Sequence, residues 1–278
     1  MKLLFSEQKS DYEHYQFPYA IWAVPEAGET PADIFNAGFL PSSRQLDRYY
    51  LCRQVRVSLA KFKVSSENRR ILRKGDGINC QLVPRDRYDY TPERRQFFKT
   101  YADIKFGKDV MTFERLNGLF ASPIISHLLV FTDVKTGAEV GVATLYVEGK
   151  PTPNPSEEGS GKSLAYYYYA FYDLNYYARN LGMFMMTSAV TLFAGRGFRQ
   201  LYLGTCYSNN ALYKTQFAGA EFFNGVCWSS DMDELKFIIK HDKKEHHQHL
   251  LETEEYLSAF HAGDLKRLAD ASAFIARR

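Results

Sequence analysis

A run of basic residues between Arg53 and Lys74 is the feature of this sequence best suited to chemistry with phosphate groups. The run holds eight lysines and arginines and one acid, Glu67: Arg53, Arg56, Lys61, Lys63, Arg69, Arg70, Arg73 and Lys74. Such a cluster can neutralise several phosphates, which gives an affinity that depends on salt and little on base sequence. The planar guanidinium group suits phosphate oxygens, and Tyr49 and Tyr50 could stack on unpaired bases.

The charge run alone leaves a second interpretation open. A solvated helix face with ordinary surface ion pairs would have the same composition. The whole chain has a net charge of only +3, which is too small to indicate a nucleic-acid-binding protein. An RNA role therefore depends on the local cluster.

Two elements are predicted to position these side chains. Val55, Val57 and Leu59 alternate with polar residues, which is the two-residue period of a half-buried strand. Ser65 or Ser66 then caps a helix over "ENRRILRK", and Gly75 ends it. The basic residues are thus expected on a strand and on the helix that follows.

Composition limits the class of protein. The 278 residues allow one large domain or two modest ones, and 45% apolar with 24% charged residues is ordinary for a globular protein. Four scattered cysteines without a CxxC pair favour a reducing compartment over disulfides or a zinc ribbon. The N-terminus has no apolar leader, and no run of about 18 apolar residues occurs. We therefore expect a cytoplasmic protein without a membrane partner.

The remaining elements alternate between helices and strands. Thr30 and Thr91 each precede a proline that can begin a helix. Two β-rich runs meet at a turn over residues 135–137, which predicts a hairpin. "LAYYYYAFYD", "GMFMMTSAVTLFAGRGF" and "QLYLGTCY" then predict strand, helix and strand. This order indicates an α+β or α/β sandwich with a mixed sheet.

The composition changes near Ser229. The spacing of leucine and aromatic residues predicts two last helices that Gly263 and Asp264 separate, with Leu265, Leu268 and Ile275 on the second one. We predict an N-terminal region over 1–95 with the basic strand and helix, a central domain over 96–228 and a helical extension over 229–278. The extension could bind a partner or a second copy of the chain.

Two reactive residue types are not assigned to chemistry. Cys206 has no histidine placed by the sequence to activate it, so a buried structural thiol is expected. The tract with His241, His246, His247 and His249 fits no standard zinc spacing, so a solvated polar helix is expected there.

Two separated blocks of the sequence resemble the arginyl- and leucyl-tRNA–protein transferases. The first block, over about residues 38–74, has a Gly-Phe pair, Cys52, "VRV", a basic-Phe-basic step and a Ser-rich element followed by two arginines. The second, over about residues 166–223, has "YYYAFYD", Leu181-Gly182, "YLG" and Tyr213-Lys214 with Phe217. The resemblance lies in the ordered set, because each piece is short.

The resemblance implies a GNAT-like fold, with one or two GNAT-like halves, in which a sheet splays open for an acyl donor. It also implies transfer of an amino acid from a charged tRNA to the N-terminal amine of a protein or peptide. Only Cys52 matches the early cysteines of the family, the proline that commonly follows "YKxxF" is absent, and the C-terminal helices have no recognised counterpart. No metal or other cofactor is therefore predicted.

The resemblance also suggests roles for particular residues. Aminolysis of an ester needs an amine to be positioned and deprotonated and the developing oxyanion to be stabilised. Asp173 is the candidate for holding or deprotonating an amine, with Tyr172 and Lys214 as further catalytic candidates; a turn residue and a surface ion pair are the alternatives for Asp173 and Lys214. The candidates for binding tRNA or substrate are Arg53, Arg56, Lys63, Arg69, Arg70, Arg73, Gly182, Tyr202, Tyr207 and Tyr213.

Two other functions remain possible at this level. An acyl-CoA-dependent GNAT enzyme would hold pyrophosphate at a helix start, and Arg179-Asn-Leu-Gly182-Met-Phe184 has part of that pattern. The bulk of Phe184 at the second small position is expected to crowd the phosphates and so argues against CoA. A catalytically inactive RNA-binding or partner-binding relative is the third possibility.

Overall fold

The computed structural model describes residues 1–11, 13, 17–149, 163–242 and 249–274, without the side chains of residues 177–179. The chain forms two compact units. The first comprises Met1–Arg56, Thr205–Gln216 and Ala220–Arg278, and the second comprises Val57–Gly204 with Phe217–Gly219. The domain boundaries predicted from the sequence stay a prediction.

The described residues form short strands and helices of ordinary length. The strands are β1 Lys2–Glu7, β2 Tyr19–Val24, β3 Phe39–Pro41, β4 Tyr49–Leu51, β5 Gln54–Ser58, β6 Ile78–Pro84, β7 His127–Asp133, β8 Glu139–Glu148, β9 Leu164–Tyr172, β10 Gln200–Thr205, β11 Ala220–Phe223 and β12 Trp228–Ser229. The helices are α1 Pro31–Asn36, α2 Ser66–Lys74, α3 Pro92–Lys105, α4 Phe113–Phe120, α5 Leu181–Gly195, α6 Met232–His241, α7 Glu254–His261 and α8 Leu265–Asp270.

The first unit contains a small antiparallel sheet in the order β1-β2-β4-β3. Its last helices are held by a buried polar cluster. The Glu234 carboxylate accepts hydrogen bonds from Asn224 Nδ2 at 2.9 Å and from the Tyr256 hydroxyl at 2.7 Å. Because Glu234 is only 2% exposed, these hydrogen bonds are needed to offset the free-energy cost of burying its carboxylate.

The second unit is built on a mixed sheet. Strands β6 to β9 pair antiparallel in chain order, and β10 adds parallel to β9. On one face, Phe171 packs against Phe98 and Tyr101 of α3. On the other face, Gly141 lies against Met185 of α5. Its register partner Tyr172, the last residue of β9, contacts both Tyr101 of α3 and Gly182 of α5. The predicted α+β class, with a mixed sheet flanked by helices, is therefore confirmed.

Local signals in the sequence place several elements correctly. Ser65 caps α2 by accepting a hydrogen bond from the Asn68 N–H at 3.1 Å, and Thr91 caps α3 in the same way. The predicted hairpin is β7–β8. The predicted strand around Val55 and Val57 is β5, although Leu59 begins a short 3₁₀ turn instead of continuing it.

The C-terminal prediction is confirmed for the two helices and their separation, although α8 ends at Asp270, before Ile275. Helices α7 and α8 are separated by Gly263 and Asp264, and the Asp264 side chain caps α8. Ile275 lies outside the described residues. Within the described ranges, each helix is too short or too polar to cross a lipid bilayer.

Candidate functional site

The second unit has an opening in its sheet where β9 and β10 stop pairing. These parallel strands pair from Leu164 with Gln200 to Tyr166 with Tyr202, whereas β9 stays paired with β8 as far as Tyr172. In sheets of this kind, ligands bind beyond the carboxyl ends of parallel strands. The free flank of β9 is therefore the natural place for a substrate in this unit.

A β-bulge lies where this divergence begins. Leu145 of β8 pairs with Tyr167 and Thr144 pairs with Tyr169, so β9 has one extra residue, Tyr168, at that step. The buried Thr144 hydroxyl holds the bulge: it accepts a hydrogen bond from the Tyr169 N–H at 3.0 Å and donates to the Tyr169 carbonyl at 3.3 Å. Bulges bend a strand and redirect its side chains, which explains why β9 turns away here.

Tyr172 ends β9 beside the first turn of α5. A Cβ placed on Gly182 would lie 2.9 Å from the Tyr172 hydroxyl, so glycine is the residue that lets this phenol approach the helix. The ring of Tyr101 supports the Tyr172 ring at a centroid distance of 4.7 Å. The first N–H groups of a helix have no partner within it, so the Tyr172 hydroxyl and these donors lie close together.

Asp173 follows directly and has a structural task. Its Oδ1 accepts a hydrogen bond from the Asn175 N–H at 2.9 Å, and its own N–H donates to the Val140 carbonyl at 2.9 Å. The turn-residue alternative for Asp173 is therefore observed. The described residues give its second oxygen, Oδ2, no hydrogen bond, so a chemical role for that oxygen stays a prediction.

The segment after Asp173 is tied to the β7–β8 turn. The Tyr176 hydroxyl donates to Asp133 Oδ2 at 2.8 Å, and the N–H groups of Lys135 and Thr136 donate to Asp133 Oδ1. The Tyr176 hydrogen bond is the main reason why the pKa of Asp133 is lowered. Asn180, in a left-handed conformation with φ of 55°, then leads into α5 without capping it through its side chain.

Phe184 points away from the α5 start, contrary to the crowding expected from the sequence. It is only 6% exposed, and its ring packs on Phe131 at a centroid distance of 5.8 Å. The ring also fills the space beside Gly75, where any Cβ would overlap it. The argument against CoA that rested on the bulk of Phe184 is therefore wrong, because the side chain is buried in the core.

The same contact positions the basic helix. Gly75 ends α2, and its packing against Phe184 holds that end of α2 against the first turn of α5. Lys63, Arg69, Arg70 and Arg73 are all exposed. Arg70 pairs with Glu67. Among the described residues, Lys63, Arg69 and Arg73 have no acidic partner, so their charge is available to a ligand.

Arg53 and Arg56 lie in the first unit and are engaged there. Arg53 forms an ion pair with Asp242 and lies over the ring of Tyr207 at 4.6 Å. Arg56 pairs with Glu221 at 2.9 Å and stacks on Trp228 at 3.7 Å from the ring centre. Their role as phosphate ligands stays a prediction, and the exposed charge is carried by α2.

The other predicted site residues differ in burial and in their hydrogen-bond partners. In the first unit, Lys214 Nζ donates to the Thr205 carbonyl at 2.8 Å, and burial lowers the pKa of Lys214. Tyr207 and Tyr213 are exposed, and the Tyr207 hydroxyl accepts a hydrogen bond from the Arg53 N–H at 2.9 Å. Tyr202, in the second unit, is fully buried in the core.

The cysteines behave as structural thiols. Cys206 is buried, as expected, and burial raises its pKa. Burial also raises the pKa of Cys52 to about 12. His246 and His247 of the histidine tract lie outside the described residues. In the part of the chain that is described, no group of His, Cys, Asp or Glu has the arrangement of a metal site.

The structure thus brings Tyr172, Asp173 and Gly182 together at the opening of the second unit, with α2 packed beside α5. Lys214, Tyr207 and Tyr213 belong to the first unit. Sequence reasoning missed Thr144, which holds the bulge, and Tyr101, which supports Tyr172. A threonine within an apolar strand was the only signal for Thr144, and it does not distinguish a bulge from a regular strand.

Comparisons with known proteins find similarity in structure but not in sequence family. No protein-family model matches the sequence, and no curated protein does. Solved structures similar to this chain include the C-terminal domain of a protein described as a lysylphosphatidylglycerol synthetase from Agrobacterium fabrum (14% identity, TM-score 0.41, 59% of this chain and 49% of that one). L-PGS from Bacillus licheniformis is 11% identical, with a TM-score of 0.35, and the match covers 56% of this chain and 46% of that one.

An aminoglycoside acetyltransferase from an uncultured soil sample, in complex with sisomicin, is 16% identical with a TM-score of 0.33, and the match covers 63% of this chain and 94% of that one. The chain spans about half the length of the first two of these structures. By their titles, the first is a domain of a synthetase and the third is an acetyltransferase. Identity and TM-score are too low for a functional conclusion.

Proposed function

We propose that the protein is an acyltransferase that moves an amino acid from a charged tRNA to the N-terminal amine of a protein or peptide. The observation that carries this proposal is the opening between β9 and β10, with Tyr172 and Asp173 at its rim and the start of α5 beside them. The extended backbone of the acceptor peptide can add its N–H and carbonyl groups along the unpaired flank of β9. This would hold the acceptor amine near the end of that strand.

The reaction needs no covalent enzyme intermediate. The acceptor nitrogen attacks the ester carbonyl, the ribose oxygen leaves with a proton, and the amine loses one proton as the amide forms. A free α-amine has a pKa of about 7.7–8.0, so a useful fraction is neutral at cellular pH. In this scheme Asp173 Oδ2 accepts the amine proton, and the Tyr172 hydroxyl with the N–H groups of α5 stabilises the oxyanion.

The tRNA would be held through its phosphates. Lys63, Arg69 and Arg73 are exposed without acidic partners among the described residues, and α2 packs directly against α5 in the same unit. Binding of an acceptor stem by α2 would therefore bring its aminoacylated end to the side of the sheet on which α5 lies. The donor is a substrate, and the proposal includes no metal or other cofactor.

Transfer from acyl-CoA to an amine is a second candidate, and the position of Phe184 favours it. Because that ring is buried against Gly75 and Phe131, its bulk does not argue against a pyrophosphate at the first N–H groups of α5. Both candidates use the same opening in the sheet. They differ in the role of α2, which binds the tRNA phosphates only in the first candidate.

The test compares donors on the purified protein. Radiolabelled aminoacyl-tRNAs and, in parallel, labelled acetyl-CoA are incubated with a panel of peptides that differ in their N-terminal residue. Label transfer from tRNA that stops with uncharged tRNA supports the proposal. Transfer from acetyl-CoA alone supports the second candidate, and tRNA binding without transfer in either series supports a protein that binds RNA without catalysis.

Two variants test the named roles. Tyr172→Phe should lower kcat about 100-fold, because it removes an oxyanion donor. Asp173→Asn should lower it by a similar factor and shift the pH profile of the reaction, because the proton acceptor is lost. Tyr169→Phe is the matched control, because Tyr169 packs with Phe106 and Phe171 on the opposite face of the sheet. Equal activity in Tyr172→Phe and Tyr169→Phe would remove Tyr172 from the mechanism.

A further inference from the structure

A second concave site in the second unit is lined by other residues than those at the opening between β9 and β10. It is a pocket of about 330 Å³. Its lining residues come from the segment after β6 and from α3 and the end of α4: Arg85, Tyr88, Tyr90, Arg95, Asn117, Phe120 and Ala121. The volume is at the lower end of the range for small-molecule sites.

The apolar part of the pocket is rigid. The ring of Tyr90 is stacked on Phe120 at a centroid distance of 4.2 Å, and Phe98 continues this stack at 5.2 Å from Phe120. Tyr88 packs on the same group, with its centroid 6.5 Å from Phe120. A stack of aromatic rings in buried or half-buried positions has few alternative arrangements, so the pocket wall is formed before any ligand binds.

The polar groups that lack partners here are hydrogen-bond donors. The Tyr90 hydroxyl and Arg95 Nε are buried and have no hydrogen-bond partner among the described residues. Burial raises the pKa of Tyr90 to about 12, so its hydroxyl keeps its proton at neutral pH. A buried donor without an acceptor costs about 1–3 kcal/mol, and an acceptor on a ligand would remove that cost.

The pocket also contains two arginines, Arg85 and Arg95, whose positive charge is not balanced by an ion pair among the described residues. Arg85 donates to the Phe120 carbonyl at 2.9 Å. None of the lining residues is acidic. The pocket is thus rich in donors and cations and poor in acceptors.

The neighbouring Arg94 shows how an arginine is satisfied in this region. It pairs with Glu139 at 2.9 Å and lies over the Tyr88 ring at 4.4 Å. Tyr88 in turn donates to Glu139 at 2.7 Å. Arg94 is therefore engaged, whereas Arg95 Nε on the same helix has no hydrogen-bond partner among the described residues.

We infer that this pocket binds a small organic anion, with a phosphate or carboxylate held by Arg85, Arg95 and the Tyr90 hydroxyl. The compact apolar body of the anion would lie against Phe120 and Ala121. Arginine binds both kinds of oxyanion through paired N–H groups. This inference is independent of the proposed function, because it rests on different residues and needs no turnover.

Isothermal titration calorimetry of the full chain with four probes tests the inference. Phenyl phosphate and benzoate carry the two kinds of oxyanion on the same ring, inorganic phosphate lacks the ring, and benzyl alcohol lacks the charge. We expect phenyl phosphate or benzoate to bind at least about tenfold more tightly than the other two, because both parts of the pocket are then used. The tighter of the two aromatic anions identifies the oxyanion class.

Variants decide whether the binding is at this pocket. Arg95→Gln should weaken binding at least about tenfold and Tyr90→Phe about threefold to tenfold, since a charge-assisted and a neutral hydrogen bond are lost. Arg115→Gln is the matched control, because Arg115 is an exposed arginine of α4 that donates to the Val110 carbonyl and does not line the pocket. Thermal melting of each variant confirms folding.

Three results would overturn the inference. The first is the absence of any heat of binding for either aromatic anion up to about 10 mM, where only weak binding would be left. The second is equal weakening of binding in Arg95→Gln and Arg115→Gln. The third is equal affinity for phenyl phosphate and inorganic phosphate. Loss of transferase activity alone would not bear on the pocket. Loss of anion binding in Arg95→Gln with transfer intact would separate the two sites.

Discussion

The arginines of the two units differ in what they bind. In the first unit, Arg53 and Arg56 have carboxylate partners and aromatic rings under their guanidinium groups. In the second unit, Arg69 and Arg73 of α2 are exposed, and they have no acidic partner among the described residues. These four residues belong to one continuous basic run in the sequence.

This difference teaches that a local surplus of charge is not the same as charge available to a ligand. A guanidinium group that is paired and stacked contributes to the stability of its own unit and has less to offer a phosphate. An exposed guanidinium without a partner adds little stability but can release counterions when it binds nucleic acid. The two groups should therefore respond to mutation in opposite ways.

The largest expected effect separates Arg56 from Arg73. Arg56→Ala should lower the free energy of unfolding by about 3 kcal/mol, because it removes the ion pair with the mostly buried Glu221 and the stacking on Trp228. Arg73→Ala should change it by less than about 0.5 kcal/mol, as exposed positions usually do. Urea denaturation of both variants measures the difference.

RNA binding should show the reverse order for the same two variants. Arg73→Ala should reduce the slope of log K against log salt by about 1, whereas Arg56→Ala should leave it unchanged. Filter binding of tRNA over a series of salt concentrations measures this slope. A smaller slope in Arg56→Ala than in Arg73→Ala would mean that the ion pair with Glu221 opens when RNA binds.

The position of the exposed arginines depends on a glycine at the end of their helix. Gly75→Ala should destabilise the protein by about 2 kcal/mol and displace α2 from α5, because the new methyl group overlaps the Phe184 ring. Gly195→Ala is the control, since no atom lies within 4 Å of a Cβ there. If Gly75→Ala melts like Gly195→Ala, the packing of α2 on α5 is looser than described.

A thiol in each unit should make stability depend on pH in alkaline solution. The thiols of Cys52 and Cys80 ionise near 9.0 when unfolded, and burial raises the pKa of each to about 12 in the folded state. Between these values the folded state keeps a proton that the unfolded state loses, so stability falls as pH rises above 9. The slope is about 1.4 kcal/mol per pH unit for each thiol.

The variant Cys52→Ala isolates one of these contributions. The difference in unfolding free energy between the native protein and Cys52→Ala should shrink as pH rises from 9 toward about 12, because only the native protein has the Cys52 thiol to titrate. Stopped-flow unfolding at several pH values avoids long exposure to base. A constant difference over this range would mean that the Cys52 thiol is not protected by burial.

The smallest effect concerns the acid within the basic helix. Glu67 and Arg70 form an exposed pair within one turn of α2. Glu67→Gln should leave the melting temperature unchanged, because exposed pairs contribute little. It should strengthen tRNA binding about twofold at low salt, because the helix loses its only negative charge. Unchanged tRNA affinity in this variant would place the RNA away from α2.

Much of the secondary structure was predictable from short-range chemistry. The caps at Ser65 and Thr91, the stop at Gly75 and the β7–β8 turn involve residues that are close in sequence, so their signals survive without tertiary contacts. The mixed α+β class followed from the order of these elements. The opening at β9 was implied by the family resemblance, but the bulge that Thr144 holds was not visible in the sequence.

The sequence by itself determined the elements, the basic run and the adjacency of Tyr172 to Asp173. Only the tertiary structure decided which arginines are engaged, where Phe184 points and which donors surround the small pocket. The physical reason is distance along the chain. Arg56 meets Glu221 across 165 residues and Arg53 meets Asp242 across 189. No local pattern encodes such a partner, because it is chosen by the packing of the whole unit.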